Sequence, residues 1–325
     1  MMTFIAAILV GLFLLIWSAD RFIEGASSVA RIFGISPLIV GMLILGFGTS
    51  APEMIVSATA AFQGNPSLGI GNALGSNITN ITLVLGLTAI FFTLPVHSRL
   101  IKQEIPLVLL TAVLAWYLMS DNFFSLLDSI ILITAMFSVL IWMVFSANKD
   151  RHTHDPLVDE SIEELPDQMP LSNSIFWTVI GLMFLLLSSH MLVYGASNIA
   201  SAMGVSDLII GLTIVAIGTS LPELAATISS ARKGETDLAV GNIVGSNLFN
   251  TLAVLPIPAL IQPLEVPAGV LDRDIWVMLA VTIILLVFCF GLTHESRYKI
   301  TRLKGLFLLG LFFAYQGLLY FQTVQ

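Results

Sequence analysis

The chain has 325 residues, of which 57% are hydrophobic and only 10% charged. A soluble domain carries about 25% charged residues, so the composition excludes a water-soluble protein and points to a polytopic membrane protein. The net charge of −8 comes largely from one acidic loop, and no basic patch supports nucleic-acid binding.

A transmembrane helix needs about 20 apolar residues. In chain order, segments that meet this requirement fall at 3–30, 36–62, 68–94, 101–120, 123–147, 173–202, 206–231, 237–261, 273–293 and 303–323. The expected fold class is therefore an all-α membrane protein with ten transmembrane helices. The first basic residue is Arg21, so the first segment lacks the basic start of a cleavable signal peptide and is expected to remain as a helix. Trp116, Trp142, Trp177 and Trp276 fall near predicted helix ends, where interfacial aromatics belong. The single cysteine, Cys289, lies in an apolar span; it permits no intrachain disulfide or thiolate metal cluster and reads as a small core residue.

The second segment carries Gly46-Phe47-Gly48-Thr49-Ser50-Ala51-Pro52-Glu53. An intramembrane glutamate is costly and marks a functional site. Pro52 has no N–H and crowds the carbonyl four residues back, so the Gly48 carbonyl loses its helical partner. The expected result is a kinked helix that offers carbonyls, two hydroxyls and a carboxylate within about one turn, a set of hard oxygens suited to a hard cation.

The pattern returns 170 residues later as Ala216-Ile217-Gly218-Thr219-Ser220-Leu221-Pro222-Glu223. Residues 34–87 and 204–257 share 22 identities in 54 ungapped positions, where composition alone would give roughly five. A second shared block runs Gly71-Asn72-Ala73-Leu74-Gly75-Ser76-Asn77-Ile78-Thr79-Asn80 and Gly241-Asn242-Ile243-Val244-Gly245-Ser246-Asn247-Leu248-Phe249-Asn250. Its glycines suit close helix packing. Matching interrupted helices in two halves point to a transporter binding site.

Basic residues set the orientation. One set of alternate loops holds Arg31, Arg99, Lys102, Lys149, Arg151, Arg232, Lys233, Arg297, Lys299, Arg302 and Lys304; the other holds only Arg273. Both termini are therefore expected outside. The organisation reads as a first five-helix repeat at 1–147, an acidic cytoplasmic linker at 148–172 and a second, inverted five-helix repeat at 173–325. The linker carries Asp155, Asp159, Glu160, Glu163, Glu164 and Asp167 without EF-hand spacing and reads as solvated chain. His152 and His154 beside it lack further zinc ligands. Asp20, Arg21 and Glu24 lie in the first helix, with His190 at the Asp20-equivalent position of the sixth. They read either as a charged element of a moving helix or as local pairing and snorkelling.

Glu53 and Glu223, if ionised, balance one divalent cation. Thr49, Ser50, Thr219 and Ser220 add hydroxyls, and carbonyls from Gly46 to Gly48 and Ala216 to Gly218 add neutral oxygens. Ser76 and Asn80 share a helix face at i and i+4, as do Ser246 and Asn250. About six to eight oxygens, without thiolate or imidazole, suit calcium, and sodium accepts the same kind of ligand.

Gly-Thr-Ser-x-Pro-Glu followed by Gly-Ser-Asn-x-x-Asn, in two inverted copies, resembles the α-repeats of the cation/calcium antiporter superfamily, in particular the prokaryotic sodium/calcium exchangers and potassium-dependent exchanger homologues. The resemblance covers 34–87 and 204–257 and extends weakly to all ten helices. It implies a mid-membrane cation site, alternating access and a prokaryotic plasma membrane, with calcium and sodium as substrates and no cofactor. It assigns the metal ligands to Glu53, Glu223, Thr49, Ser50, Thr219, Ser220, Ser76, Ser246, Asn80 and Asn250, with carbonyls from Gly46 and Ala216. Many members carry Asp at one of the last motif positions, whereas this chain has Asn at both. The expected function is sodium/calcium antiport, not enzymatic catalysis. A proton/calcium exchanger, or an exchanger of another divalent cation such as manganese, is the alternative, and a cation channel is a third reading. An intramembrane enzyme would need an asymmetric nucleophile and base, whereas the key residues here are duplicated.

Overall fold

The computed structural model describes residues 2–35, 37–97, 99–152, 169–202, 216–267, 269–291 and 298–324. Among them, nine helices are long and apolar enough to cross a membrane: Met2–Phe33, Leu38–Phe62, Pro66–Phe91, Leu100–Met119, Leu126–Met143, Leu171–Ala196, Thr236–Ile261, Val270–Phe290 and Arg302–Phe321. These correspond to nine of the ten expected spans. The remaining one, 206–231, begins outside the described residues and continues as helices Ala216–Thr219 and Leu221–Arg232. Asp155, Asp159, Glu160, Glu163, Glu164 and Asp167 of the linker, and His154, also lie outside them.

The chain divides into two compact units, Met1–Ile55 with Ala135–Ser246, and Val56–Thr134 with Asn247–Gln325. Each unit draws on both halves of the sequence. In the first, the long helices Met2–Phe33 and Leu171–Ala202 run antiparallel and approach through glycines. A Cβ on Gly11 would meet Leu192 Cγ at 3.0 Å, and one on Gly181 would meet the Phe22 backbone N at 2.6 Å. A Cβ on Gly25 would meet the Thr178 backbone N at 2.5 Å, and one on Gly195 would meet Ile8 Cγ1 at 2.7 Å. Gly11 and Gly181 are 170 apart, as are Gly25 and Gly195, Phe22 and Leu192, and Ile8 and Thr178. Equivalent positions thus exchange partners, which gives this helix pair an internal two-fold relationship. Phe22, Ile23 and Ala26 are fully buried along its seam.

In the second unit, the expectation of helices alone is incomplete. Leu94 and Pro95 pair antiparallel with Ile300 and Lys299, and Phe123 and Phe124 with Glu265 and Leu264. These two-residue ladders satisfy connecting backbone that would otherwise be left unpaired, and a pairing so short leaves no periodic trace in the sequence.

Equivalent helices of the two halves also end alike. After Ala51–Phe62 the chain turns at Gly64 (φ 79°), and after Leu221–Arg232 at Gly234 (φ 83°). Asn65 N–H donates to Ala60 O at 2.9 Å, and Glu235 N–H to Ser230 O at 2.9 Å. This left-handed glycine cap closes the last helical turn.

Candidate functional site

The helix carrying the first motif breaks where Pro52 removes a donor. Gly46–Thr49 is followed by Ser50 (φ −81°, ψ 2°) and then Ala51–Phe62. The second copy breaks at the equivalent place: Ala216–Thr219, then Ser220 (φ −91°, ψ 7°), then Leu221–Arg232. Both serines sit in the sparsely used bridge region. The carbonyl four residues before Pro222 belongs to Gly218, and Ser189 Oγ donates to it at 2.6 Å. The residue equivalent to Ser189 in the first helix is Ala19, which has no hydroxyl.

Wide helical turns flank the motifs. One covers Gly41–Leu45, just before Gly46; Asn80 and Asn250 open two others, Asn80–Leu85 and Asn250–Val254. Such bulges re-aim a helix and frequently mark functional sites.

In the first unit, residues from both repeats converge. Glu53 and Glu223 are fully buried, and Glu53 lies close enough to Glu223 for their charges to repel. Ser50 Oγ lies 3.5 Å from Glu223 Oε1, while Glu223 Oε2 and Ser220 Oγ are buried without a hydrogen-bond partner. Thr49 Oγ1 donates to Leu45 O at 2.9 Å and lies 3.3 Å from Ser246 Oγ, which is 3.4 Å from Gly46 O. The approach is tight, since a Cβ on Gly46 would lie 2.8 Å from the Ser246 backbone N. Thr219 is buried beside the break, and Ala216 opens its helix. Of the sequence candidates, Gly46, Thr49, Ser50, Glu53, Glu223 and Ser246 are thus brought together, and Thr219, Ser220 and Ala216 belong to the same unit.

Ser76, Asn80 and Asn250 belong to the second unit, all buried. Asn80 Nδ2 donates to Asn247 Oδ1 at 3.1 Å, Asn247 Nδ2 lies 3.4 Å from Asn77 O, and Asn77 Nδ2 donates to Thr251 Oγ1 at 2.9 Å. The Oδ1 atoms of Asn77, Asn80 and Asn250 are buried without hydrogen-bond partners. A bare amide oxygen in a dry interior is costly and is a ready cation ligand.

Sequence reasoning missed Asn242. Its Nδ2 donates to Glu223 O at 3.3 Å and to Thr227 Oγ1 at 3.0 Å, and its Oδ1 lies 3.2 Å from Thr49 Oγ1. It therefore joins the hydroxyl of one repeat to the glutamate of the other. In the second unit, Asn72 Nδ2 donates to Ser57 Oγ at 3.2 Å, the same pair displaced by 170 positions. The available signal was the asparagine at the second position of both copies of the second block.

The other charged candidates lie apart from this constellation. His190 is exposed. Arg21 pairs locally with Glu24, whereas Asp20 pairs with Arg232 on a different helix. Among the described residues, no three of His, Cys, Asp and Glu cluster as metal ligands.

A family model described as sodium/calcium exchanger protein matches residues 3–146 and 173–321. The inner membrane protein YrbG of Escherichia coli is 41% identical over 97% of this chain and 96% of its own length. The sodium/calcium exchanger MaX1 of Methanosarcina acetivorans is 27% identical over 97% of each chain. A solved structure of the sodium-calcium exchanger NCX_Mj superposes with a TM-score of 0.81 at 31% identity, covering 96% of this chain and 97% of that one. With its multiple membrane-spanning helices, the chain is a multi-pass membrane protein and belongs to the sodium/calcium exchanger protein family.

Proposed function

We propose that this protein is a secondary antiporter of the prokaryotic plasma membrane, moving calcium out of the cytoplasm as sodium enters down its gradient. The observation that carries the reading is the pair Glu53 and Glu223: fully buried, equivalent in the two repeats, and near one another among hydroxyls. The ligand set in the first unit is their carboxylates, the hydroxyls of Thr49, Ser50, Thr219, Ser220 and Ser246, and the carbonyls of Gly46 and Ala216. Ser76, Asn80 and Asn250 are candidates on chemistry, as buried oxygens of the second unit.

Two carboxylates are neutralised by one calcium or by two sodium ions. Left bare in a low-dielectric interior they repel and pay a large desolvation cost. An empty site therefore crosses reluctantly, and the two cations exchange instead of leaking. The first and sixth helices, joined by their glycine seam, supply the moving element. The relatives named as sodium/calcium exchangers support sodium as the coupling ion.

The test is calcium uptake into vesicles holding purified protein, with sodium and pH gradients imposed separately. Uptake driven by outward sodium at equal pH supports the reading. Uptake driven only by a proton gradient assigns the proton-coupled alternative, and current without counter-ion coupling assigns a channel.

A further inference from the structure

Asn77, Asn80 and Asn247 of the second unit fix one another's orientation. Asn247, near the end of helix Thr236–Phe249, meets Asn77 and Asn80, which follow one another at the end of helix Pro66–Thr79. All three are buried, so a polar atom that finds no partner in the chain is costly unless a ligand takes it.

Which end of each amide points where follows from one group that cannot change its role. The Asn77 backbone carbonyl only accepts. It takes the Asn80 backbone N–H, and Asn247 Nδ2 approaches it at 3.4 Å. Nitrogen is therefore the end of the Asn247 amide on that side, and its Oδ1 is turned to Asn80. That oxygen also only accepts, so Asn80 presents Nδ2 to it, at 3.1 Å. Asn80 Oδ1 is the atom left over, buried and without a hydrogen bond. Turning the Asn80 amide over would set its oxygen against Asn247 Oδ1 and leave in its place a nitrogen that repels a cation.

The other repeat lacks this hold. Displaced by 170 positions, the same bond would run from Asn250 Nδ2 to Asn77 Oδ1, and both of these atoms are buried without a partner. Asn77 Nδ2 instead donates to Thr251 Oγ1 at 2.9 Å and lies 3.3 Å from Met278 Sδ. The residues equivalent to Thr251 and Met278 are Ile81 and Val108, whose side chains have no polar atom, so the repeat offers Asn247 no such alternative. Asn80 and Asn250 match in sequence, yet one amide is held and the other is not.

We propose that Asn247 is a positioning residue for the cation site: by holding Asn80 Nδ2 it makes Asn80 present its carbonyl oxygen, and not its amide nitrogen, to calcium. Asn247 itself does not touch the ion, and the proposal rests on the reading of Asn80 as a ligand. Without the hold, the Asn80 amide turns about its last side-chain bond, a torsion that is broad and roughly two-fold when nothing fixes it. Part of the population then meets calcium with a donor. The hold is one hydrogen bond, so its loss weakens calcium binding by up to about tenfold.

The test uses full-length protein. Titration calorimetry on the purified protein gives the calcium Kd, and sodium-driven calcium uptake in vesicles gives KM and kcat. Asn247→Leu, of similar volume, and Asn247→Ala, which cannot overfill the space, are each expected to raise Kd and KM by up to about tenfold while kcat changes less. A residue that only packs helices would lower the melting temperature and the active fraction, and so the maximal rate, with KM unchanged. The deciding variant combines Asn247→Leu with Asn80→Ala. Once the Asn80 amide is gone there is nothing left to orient, so the double variant should bind calcium as Asn80→Ala alone does. Losses that multiply, unchanged Kd and KM in the Asn247 variants, an Asn80→Ala protein with wild-type affinity, or a wild type that binds no calcium each overturn the proposal. Absence of sodium-driven flux in wild type counts against the exchange reading instead, and calorimetry then decides the role of Asn247 alone.

Discussion

Ser50 Oγ lies 3.5 Å from Glu223 Oε1, so the hydroxyl of one motif copy faces the carboxylate of the other across 173 positions of sequence. Ser220 Oγ, the counterpart of Ser50 Oγ, and the second carboxylate oxygen, Glu223 Oε2, are buried and make no hydrogen bond. An unfinished set of oxygens around buried charge is what a cation completes.

Removing either charge should stop transport. Unit charges 4 Å apart interact by about 4 kcal/mol at an effective dielectric of about 20, and the double charge of calcium enlarges this. Glu53→Gln and Glu223→Gln should each lower calcium flux about 1000-fold or more, since every 1.4 kcal/mol is tenfold. Both amides keep the side-chain shape, so the proteins should still insert and elute as folded species. Substantial exchange by either one would remove that glutamate from the site.

Asn242 should matter more than its distance from the charge chemistry suggests. Asn242→Ala removes the side chain that donates to Thr227 Oγ1 and links Thr49 to the Glu223 carbonyl. A buried polar group left without its partner costs about 1–3 kcal/mol. The expected outcome is a lower melting temperature in detergent together with a raised KM for calcium. A loss of stability with unchanged KM would show that Asn242 only packs the helices.

The two adjacent serines of the sixth helix should separate. Ser189→Ala exposes the Gly218 carbonyl that Pro222 leaves without a helical donor, at a cost of about 1–3 kcal/mol. Ser188 Oγ only bonds back to Leu185 O on its own helix at 2.7 Å, so Ser188→Ala should cost less than about 1 kcal/mol. Equal melting shifts for the two would sink this assignment.

The duplication, both helix breaks and the burial of Glu53 and Glu223 were legible in the sequence because each follows from a local rule. Proline removes a donor, and an intramembrane carboxylate needs a purpose. The Gly218 carbonyl was foreseen as freed, but Ser189 as its partner was not, since that pairing depends on which helix packs beside the break. The same limit applies to Asn77, Asn242 and Asn247. Face arguments select Ser76 and Asn80 on one helix, whereas these amides become visible only when two helices are placed together. Asp20 and Arg232, 212 positions apart, could be read as charged but not as a pair. The two short ladders depend on connections meeting in space, about which helical periodicity is silent.

Orientation is open to direct measurement. The asymmetry of basic residues predicts Lys299 in the cytoplasm and Gln63, with both termini, outside. With Cys289 replaced, an impermeant thiol reagent added to intact cells should label Gln63→Cys and spare Lys299→Cys; both positions are exposed. In everted vesicles the pattern should reverse. Labelling of both sites from one side would overturn the inverted topology, because these positions would then share a face.

Potassium should be dispensable. Asn80 and Asn250 occupy the two last motif positions, at one of which the resemblance implies Asp in many members, and an amide brings a carbonyl oxygen without charge. Glu53 and Glu223 are the two carboxylates of the proposed ligand set, and one calcium ion balances both. A second cation held beside calcium would meet like charge at short range in a poor dielectric. Calcium uptake into sodium-loaded vesicles, with membrane potential clamped, should therefore run equally with choline or potassium outside. Asn250→Asp should introduce either potassium stimulation or, if the new carboxyl is held neutral by burial, a new pH dependence. A strict potassium requirement in the unmodified protein would defeat the charge count, and the missing charge would then have to come from a carboxylate beyond Glu53 and Glu223.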